Sequence, residues 1–397
     1  MSVPSTWRTT LGLREAGVYY ALLLLLAVLA VLASARGFPP YLSVQNLGNI
    51  AYQASLVGIM GVAMTVMLIT GNFDLSVASV AALAAAVMIG LADSIGLAPA
   101  ALAALATAAA VGLVNGAIVQ FVGINAFIVT LGTLTAVRGL VLLLTDGRSL
   151  IVSDPEVLRA MLVFESSRVP IFWPALALAA LLVASGIAGR ARGSGGVGRI
   201  AGGLLLAVLA LVAGPGADLA APVIYLVVFT AAVWFVLRYT IVGRHIYAVG
   251  GNAEAARLSG INVTGYKLAA FILSSVAAGF AGVLFGCRLG AINPTALQGT
   301  ELTVIAAAIL GGTSLFGGAG SVIKTVVGAL LLFTLTNGFN VLDLGANYQG
   351  LIEGSVVIVA AAIYTVGGRR AARRAKRPAA SPVIEEPAGS ATVAKEA

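Results

Sequence analysis

Hydrophobic residues in this chain fall in long unbroken runs, not in two-residue alternation or narrow helical stripes. Runs cover 17–35, 47–70, 75–92, 97–122, 125–145, 170–189, 200–214, 220–238, 266–288, 300–317, 321–340 and 348–366. Each approaches the ~20 helical residues that cross a hydrocarbon layer of about 30 Å. The pattern predicts an all-α polytopic membrane protein with about twelve transmembrane helices (10–14). The run at 200–214 is short. Those at 47–70, 75–92 and 300–317 are rich in glycine or polar residues, so broken or re-entrant helices are expected among them.

The polar segments between runs carry the second pattern. Residues 151–168 open with Ser153-Asp154-Pro155, a helix-start signal. Val157, Leu158, Met161 and Leu162 then share one face, which predicts a short interfacial helix. Positive charges gather before the first run (Arg8, Arg14), at 190–199 (Arg190, Arg192, Arg199) and at 238–267 (Arg238, Arg244, Arg257, Lys267). A last group follows the final run (Arg369, Arg370, Arg373, Arg374, Lys376, Arg377). Cytoplasmic loops hold such excesses. The run count separates these groups by six, two and four crossings, all even, as one shared side requires. Both termini are therefore placed inside and 151–168 outside. The division is a cytoplasmic segment at 1–16, a transmembrane domain at 17–366, and a basic, then disordered, cytoplasmic tail at 367–397.

Composition agrees. The chain is 60% hydrophobic, with a mean hydropathy of +1.04 and 10% charged residues, against about 25% in soluble domains. The net charge of +8 reflects loop and tail placement and does not imply a nucleic-acid partner. Lone Cys287 excludes an internal disulfide, and lone His245 cannot anchor a multi-histidine metal site. The first run is long enough to span and lacks a cleavage signature. The nearest decoy of an ATP-binding loop, Gly318 to Thr325, has Ile323 where glycine must precede Lys324. No G-x-S-x-G elbow or H-E-x-x-H pair is present. Catalytic residues, a metal and a cofactor are not expected in this chain.

Candidate functional residues are polar groups in apolar surroundings. In GRHIYAVGGNAEAARLSGI (243–261), Gly250-Gly251 give a flexible entry, Asn252 an N-cap and Gly260 a helix stop. An ordinary cytoplasmic loop is the alternative. Asp74 lies between two runs, where an ionisable group points to function or caps the helix that follows. Glu301 stands in the same position before 300–317. Asn115, Asn125, Asn337 and Asn340 offer donor and acceptor together, for a polar solute or for bonds between helices. Gly311, Gly312 and Thr313 open a glycine-rich break that suits a pathway or gate. The G-x-x-x-G spacings 112/116, 282/286 and 286/290 suit close helix packing.

A resemblance joins these pieces. Glu254-Ala255-Ala256, followed by Gly260, resembles the coupling loop of ABC-importer permeases, and 243–263 resembles the subfamily importing ribose, xylose and related monosaccharides. TGNFDLSVASV (70–80), NAFIVTLGTLTAVRGLVLLLTDGRSL (125–150) and ELTVIAAAILGGTSLFGGAGSV (301–322) resemble its other blocks in order, covering most of 40–366. The resemblance implies a permease homodimer, cytoplasmic ABC ATPases receiving the coupling segment 244–262, and an extracytoplasmic sugar-binding protein. It assigns Gly251, Asn252, Glu254, Ala255, Ala256, Arg257 and Gly260 to ATPase coupling. The pathway candidates are Asp74, Asn115, Asn125, Glu301, Gly311, Gly312, Thr313 and Asn337. Asn72-Phe73 before Asp74 departs from the family's usual glycine and small apolar residue, and the extra runs 170–189 and 200–214 favour xylose over ribose. The rival readings are a permease for branched-chain amino acids, a secondary carrier, and a receptor or scaffold without transport.

Overall fold

A computed structural model describes residues 13–192, 196–344 and 354–355. The helices, in chain order, are α1 (Leu13–Ala35), α2 (Val44–Ile69), α3 (Val77–Ile95), α4 (Leu97–Ala117, continued by a π turn at Ile118–Val122), α5 (Ala126–Leu144) and α6 (Pro155–Ser166). They continue as α7 (Phe172–Ala191), α8 (Val197–Ala213), α9 (Ala221–Tyr239), α10 (Ile241–Gly251), α11 (Ala253–Leu258), α12 (Val263–Leu289), α13 (Thr300–Leu310) and α14 (Val322–Val341). Four short strands, β1 (Leu150–Ile151), β2 (Arg168–Pro170), β3 (Asp218–Ala220) and β4 (Ala291–Ile292), pair antiparallel as β1–β4 and β2–β3.

Among the described residues nine helices are long and apolar enough to cross a membrane. These correspond to nine of the twelve runs. The run at 200–214 becomes α8, of 17 residues. The run at 300–317 becomes the 11-residue α13 followed by a turn, so it is the broken element. At 1.5 Å per residue α13 reaches about 16 Å, half a hydrocarbon core. The run at 348–366 and the tail lie outside the described residues, apart from helical 354–355, as do residues 1–12. Residues 13–16 already belong to α1.

The runs at 47–70 and 75–92 are not broken. α2 is a continuous helix of 26 residues, 17 of them buried, and α3 is likewise continuous. The small and polar residues of α2 are used sideways. Gly58 faces the Leu226 side chain. Thr65 donates to the Gly61 carbonyl at 2.9 Å and meets the Thr325 hydroxyl at 2.6 Å. Side-chain hydroxyls and glycine contacts thus bind helices together without opening the backbone.

Local chemistry sets the helix starts. Ser43 accepts from Asn46 N, Asn125 from Phe127 N, and Asn262 from Gly265 N. Asp154 accepts from Glu156 N at 2.8 Å, with Pro155 in the first turn. Packing then centres on α2, α3 and α12. Gly282 of α12 lies so close to the Ala81 carbonyl of α3 that no side chain fits between them. Asn46 and Asn337 exchange amide bonds at 3.1 and 2.9 Å between α2 and α14.

Contacts sort loops by side. Asp93, after α3, accepts from Ser153 N and Asp154 N, and β1 pairs with β4. The stretches after the third, fifth and ninth runs therefore share one side, as parity requires. The amphipathic α6 packs there with Val157 and Met161 inward.

One charged cluster went unread in the sequence. Glu165 extends the buried Val157–Met161 stripe by one turn and is fully buried. It pairs with Arg288 Nε at 2.8 Å and accepts from Tyr52 Oη at 2.7 Å. The Arg288 guanidinium sits 4.0 Å from the Tyr52 ring centroid. Arg288→Leu would strand a buried carboxylate, so it should cost about 3–5 kcal/mol. Thermal unfolding in detergent measures this, and the double variant Arg288→Leu/Glu165→Leu should recover most of the loss.

Candidate functional site: the 241–260 segment and the glycine turn beside it

α10 begins at Thr240, whose hydroxyl accepts from Gly243 N at 3.2 Å, and ends at Gly251. Asn252 is extended (φ −157°, ψ 101°), which stops one helix, and its Oδ1 accepts from Ala255 N at 3.0 Å, which starts the next. α11 lasts six residues, and Gly260 (φ +81°) reverses the chain into α12. Such a helix is marginal alone. Here Ala256 anchors it in a small core with Val249 and Val263. His245 Nδ1 and Tyr266 Oη, 2.7 Å apart, tie α10 to α12.

Of the residues assigned to coupling, Ala256 alone is buried. Gly251, Asn252, Glu254, Ala255, Arg257 and Gly260 are exposed. Leu258 beside them is 84% exposed. The segment therefore presents one acid, one base and a leucine on a surface fixed from beneath.

The other face of α10 is locked to two distant elements. Gly250 lies against the Ile69 carbonyl at the end of α2, with no room for a Cβ. That carbonyl accepts from Gly318 N at 2.9 Å. Gly317 and Gly318 hold positive φ (+85° and +72°) and stack on Gly250–Gly251. Tyr247 Oη donates to the Gly320 carbonyl at 2.9 Å. Burial raises the Tyr247 hydroxyl above its ordinary value of 10.0, outweighing the opposite pull of Arg238, so it remains a neutral donor. Phe316 projects from the same turn, 89% exposed. Segment 241–260, the end of α2 and the 311–320 turn form one joint.

The pathway candidates separate into different surroundings. Asp74 is fully buried, accepting from Ser76 N (3.0 Å), Ser76 Oγ (2.6 Å) and Ser274 Oγ (2.8 Å). Asn115 donates to Ser76 Oγ at 3.1 Å and accepts from Thr133 Oγ1 at 2.6 Å. This chain of bonds joins α5, α4, the start of α3 and α12. Both residues sit in the packed interior, and their polar groups are occupied by neighbouring helices. Asn337 is spent on Asn46, and Asn125 caps α5. Gly311 packs against the backbone of Lys324–Thr325, Gly312 has φ +79°, and Thr313 is buried with its hydroxyl unpartnered. Glu301, in the first turn of α13, has one buried carboxylate oxygen that takes no hydrogen bond.

Sequence reasoning passed over Arg138 and Tyr247. Arg138 lies inside the 125–145 run, and a charge at that depth is itself the signal. Tyr247 carried no signal, because its partner is 73 residues away.

This arrangement defines a class: a multi-helix membrane protein with a compact polar surface segment packed against buried, glycine-lined helix ends. Residues 46–361 match the family described as "Branched-chain amino acid transport system / permease component", and the chain belongs to it. It is 34% identical over 353 residues to the ribose import permease protein of Escherichia coli (strain K12), covering 89% of this chain and 94% of that protein. It is 32% identical over 362 residues to the xylose transport system permease protein of Haemophilus influenzae (strain ATCC 51907 / DSM 11121 / KW20 / Rd), covering 87% and 96%. It is 30% identical over 347 residues to the D-allose transport system permease protein of Escherichia coli (strain K12), covering 87% and 90%. No solved structure gives a significant match. The chain is a transporter component of the bacterial inner membrane, not an enzyme.

The joint can be tested with two neighbouring glycines. Gly250→Ala drives a methyl into the Ile69 carbonyl and should cost about 1–3 kcal/mol. Gly251→Ala meets nothing within 4 Å and should stay within about 0.5 kcal/mol of the parent. Unfolding midpoints of the two purified variants make the comparison, and equal midpoints would discard the close contact.

Proposed function

We propose that this chain is the membrane-spanning subunit of an ATP-driven importer for a monosaccharide, with xylose the first sugar to test. Two copies form the pathway. A cytoplasmic ABC ATPase receives residues 244–262, and an extracytoplasmic binding protein delivers the sugar. Both termini face the cytoplasm, 151–168 lies outside, and lipid surrounds the transmembrane domain. The relatives whose names carry ribose, xylose and D-allose support the sugar class. The α7–α8 pair, built from the extra runs, favours xylose.

The observation that carries the mechanism is the joint at Gly250. A segment that bore on an ATPase but touched only its own flanking helices could move without consequence. This one is packed against the buried end of α2 and against the turn after a half-length helix. Displacing α11 therefore displaces the end of α2 and the 311–320 turn. Phe316 and Leu258 add apolar area to the docking face, which suits insertion into a groove. Glu254 and Arg257 fix its orientation.

The deciding experiment is co-purification with the ATPase encoded for the same system, wild type beside a variant lacking 252–260, followed by sugar-stimulated ATP hydrolysis in lipid. Wild type should recruit the ATPase and the folded deletion variant should not. Equal recruitment would reduce 243–261 to a loop. Glu254→Lys should weaken recruitment about tenfold, one lost charged contact of ~1.4 kcal/mol, without changing the unfolding midpoint.

A further inference from the structure

Between α5 and the start of α13 lies a cavity of about 490 Å³, within the size range of small-molecule sites. Its polar wall is Thr135 and Arg138 of α5, Gln298 of the preceding loop, and Glu301 of α13. Leu134 and Leu142 supply apolar wall. Among the described spanning helices no other charge stands so far from a helix end; Arg138 is thirteenth in a 19-residue helix.

Arg138 is held in place. Its Nη1 donates to the Ala296 carbonyl at 2.7 Å and the Pro294 carbonyl at 3.3 Å, pinning the loop that leads into α13. A guanidinium has five N–H donors, so the fork retains donors beyond that loop. Across the cavity Glu301 keeps a buried oxygen without a partner. The ion pairs among the described residues are Arg168–Asp218 and Arg288–Glu165. Arg138 and Glu301 thus share a cavity and feel each other's charge, but no direct bond joins them.

That spacing is costly in lipid. Ionisable groups at membrane depth face a bundle interior or water, and pair or bind. Yet Thr135, Leu131 and Leu142 on the same face of α5 are exposed, so the cavity opens outward from the chain. We infer that this is a solute-binding station on a water-filled path, and that its ligand is a neutral polyhydroxylated molecule. Arg138 donates to one hydroxyl, Glu301 accepts from another, Gln298 does either, and the leucines cover the C–H face. The inference rests on the importer reading for its sugar, but not for its water.

Two measurements separate these. In membranes, Thr135→Cys should react with a charged, water-soluble maleimide, while Leu181→Cys on exposed α7 should not; the native Cys287 is buried. Xylose should slow the Thr135→Cys reaction. Equal inertness of the two variants would remove the aqueous path, and protection by leucine instead of xylose would overturn the ligand class. In vesicles holding the complete importer, Glu301→Gln and Arg138→Gln should lower xylose uptake roughly ten- to hundredfold. ATPase co-purification should stay at the wild-type level. Wild-type uptake by both variants would overturn the station. Absence of uptake by wild type itself would instead overturn the importer reading, and the maleimide result would still decide whether the cavity holds water.

Discussion

A helix that ends inside a protein must hand its last carbonyls to something, because no water reaches them. α2 ends that way. Thr70, Gly71 and Asn72 turn back onto Val66, Leu68 and Met67, and the Ile69 carbonyl is taken by Gly318 N, 249 positions along the chain. The rest of the joint follows from that bond. Gly317 and Gly318 must adopt positive φ to present the amide, and α10 can approach only where it carries no side chain, at Gly250. One unsatisfied carbonyl thus draws together three segments that the sequence keeps far apart.

The same constraint governs the side chains at depth. Asp74 has neighbours for each oxygen, and Glu165 has Arg288, Tyr52 and Ser166. Both read as fasteners, since each of their carboxylate oxygens is bonded from within the bundle. Glu301 and Arg138 differ by being held but incomplete. The contrast matters more than charge alone. A saturated buried acid rigidifies the bundle, whereas an unsaturated one beside a cavity keeps capacity for a visitor.

The sequence made the spans legible because lipid imposes a single length and a single composition on them. Counting runs also put the loops after the third, fifth and ninth on one side, where Asp93 meets Ser153 and β1 pairs with β4. The capped turn at Asn252 and the stop at Gly260 were readable because caps are local. Polar interruptions misled: glycine and threonine in 47–70 suggested a broken helix, while the helix is continuous and uses them for lateral contact. The half-length of α13 was only partly readable, since the run continues through Leu315 and Phe316 after the helix has ended at Leu310. Glu165, Arg138 and the Gly250–Gly318 contact required the third dimension. The first two left a trace, a charge on an apolar stripe or inside an apolar run.

The joint and the cavity lie at the two ends of one short element. α13 starts at Glu301, beside the cavity, and finishes at Leu310, where Gly311 packs on α14 and the turn leads to Gly317–Gly318 against Gly250. A full spanning helix would be clamped by its neighbours along its whole length. A half-length helix of about 16 Å is clamped at one end by the joint and at the other by the Arg138–Ala296 bond. A push on α11 in the proposed role therefore reaches the cavity by a rigid path of three turns. That geometry makes α13 the natural carrier of any coupling between an ATPase outside the membrane and a solute within it, with the end of α2 moving as part of the same joint.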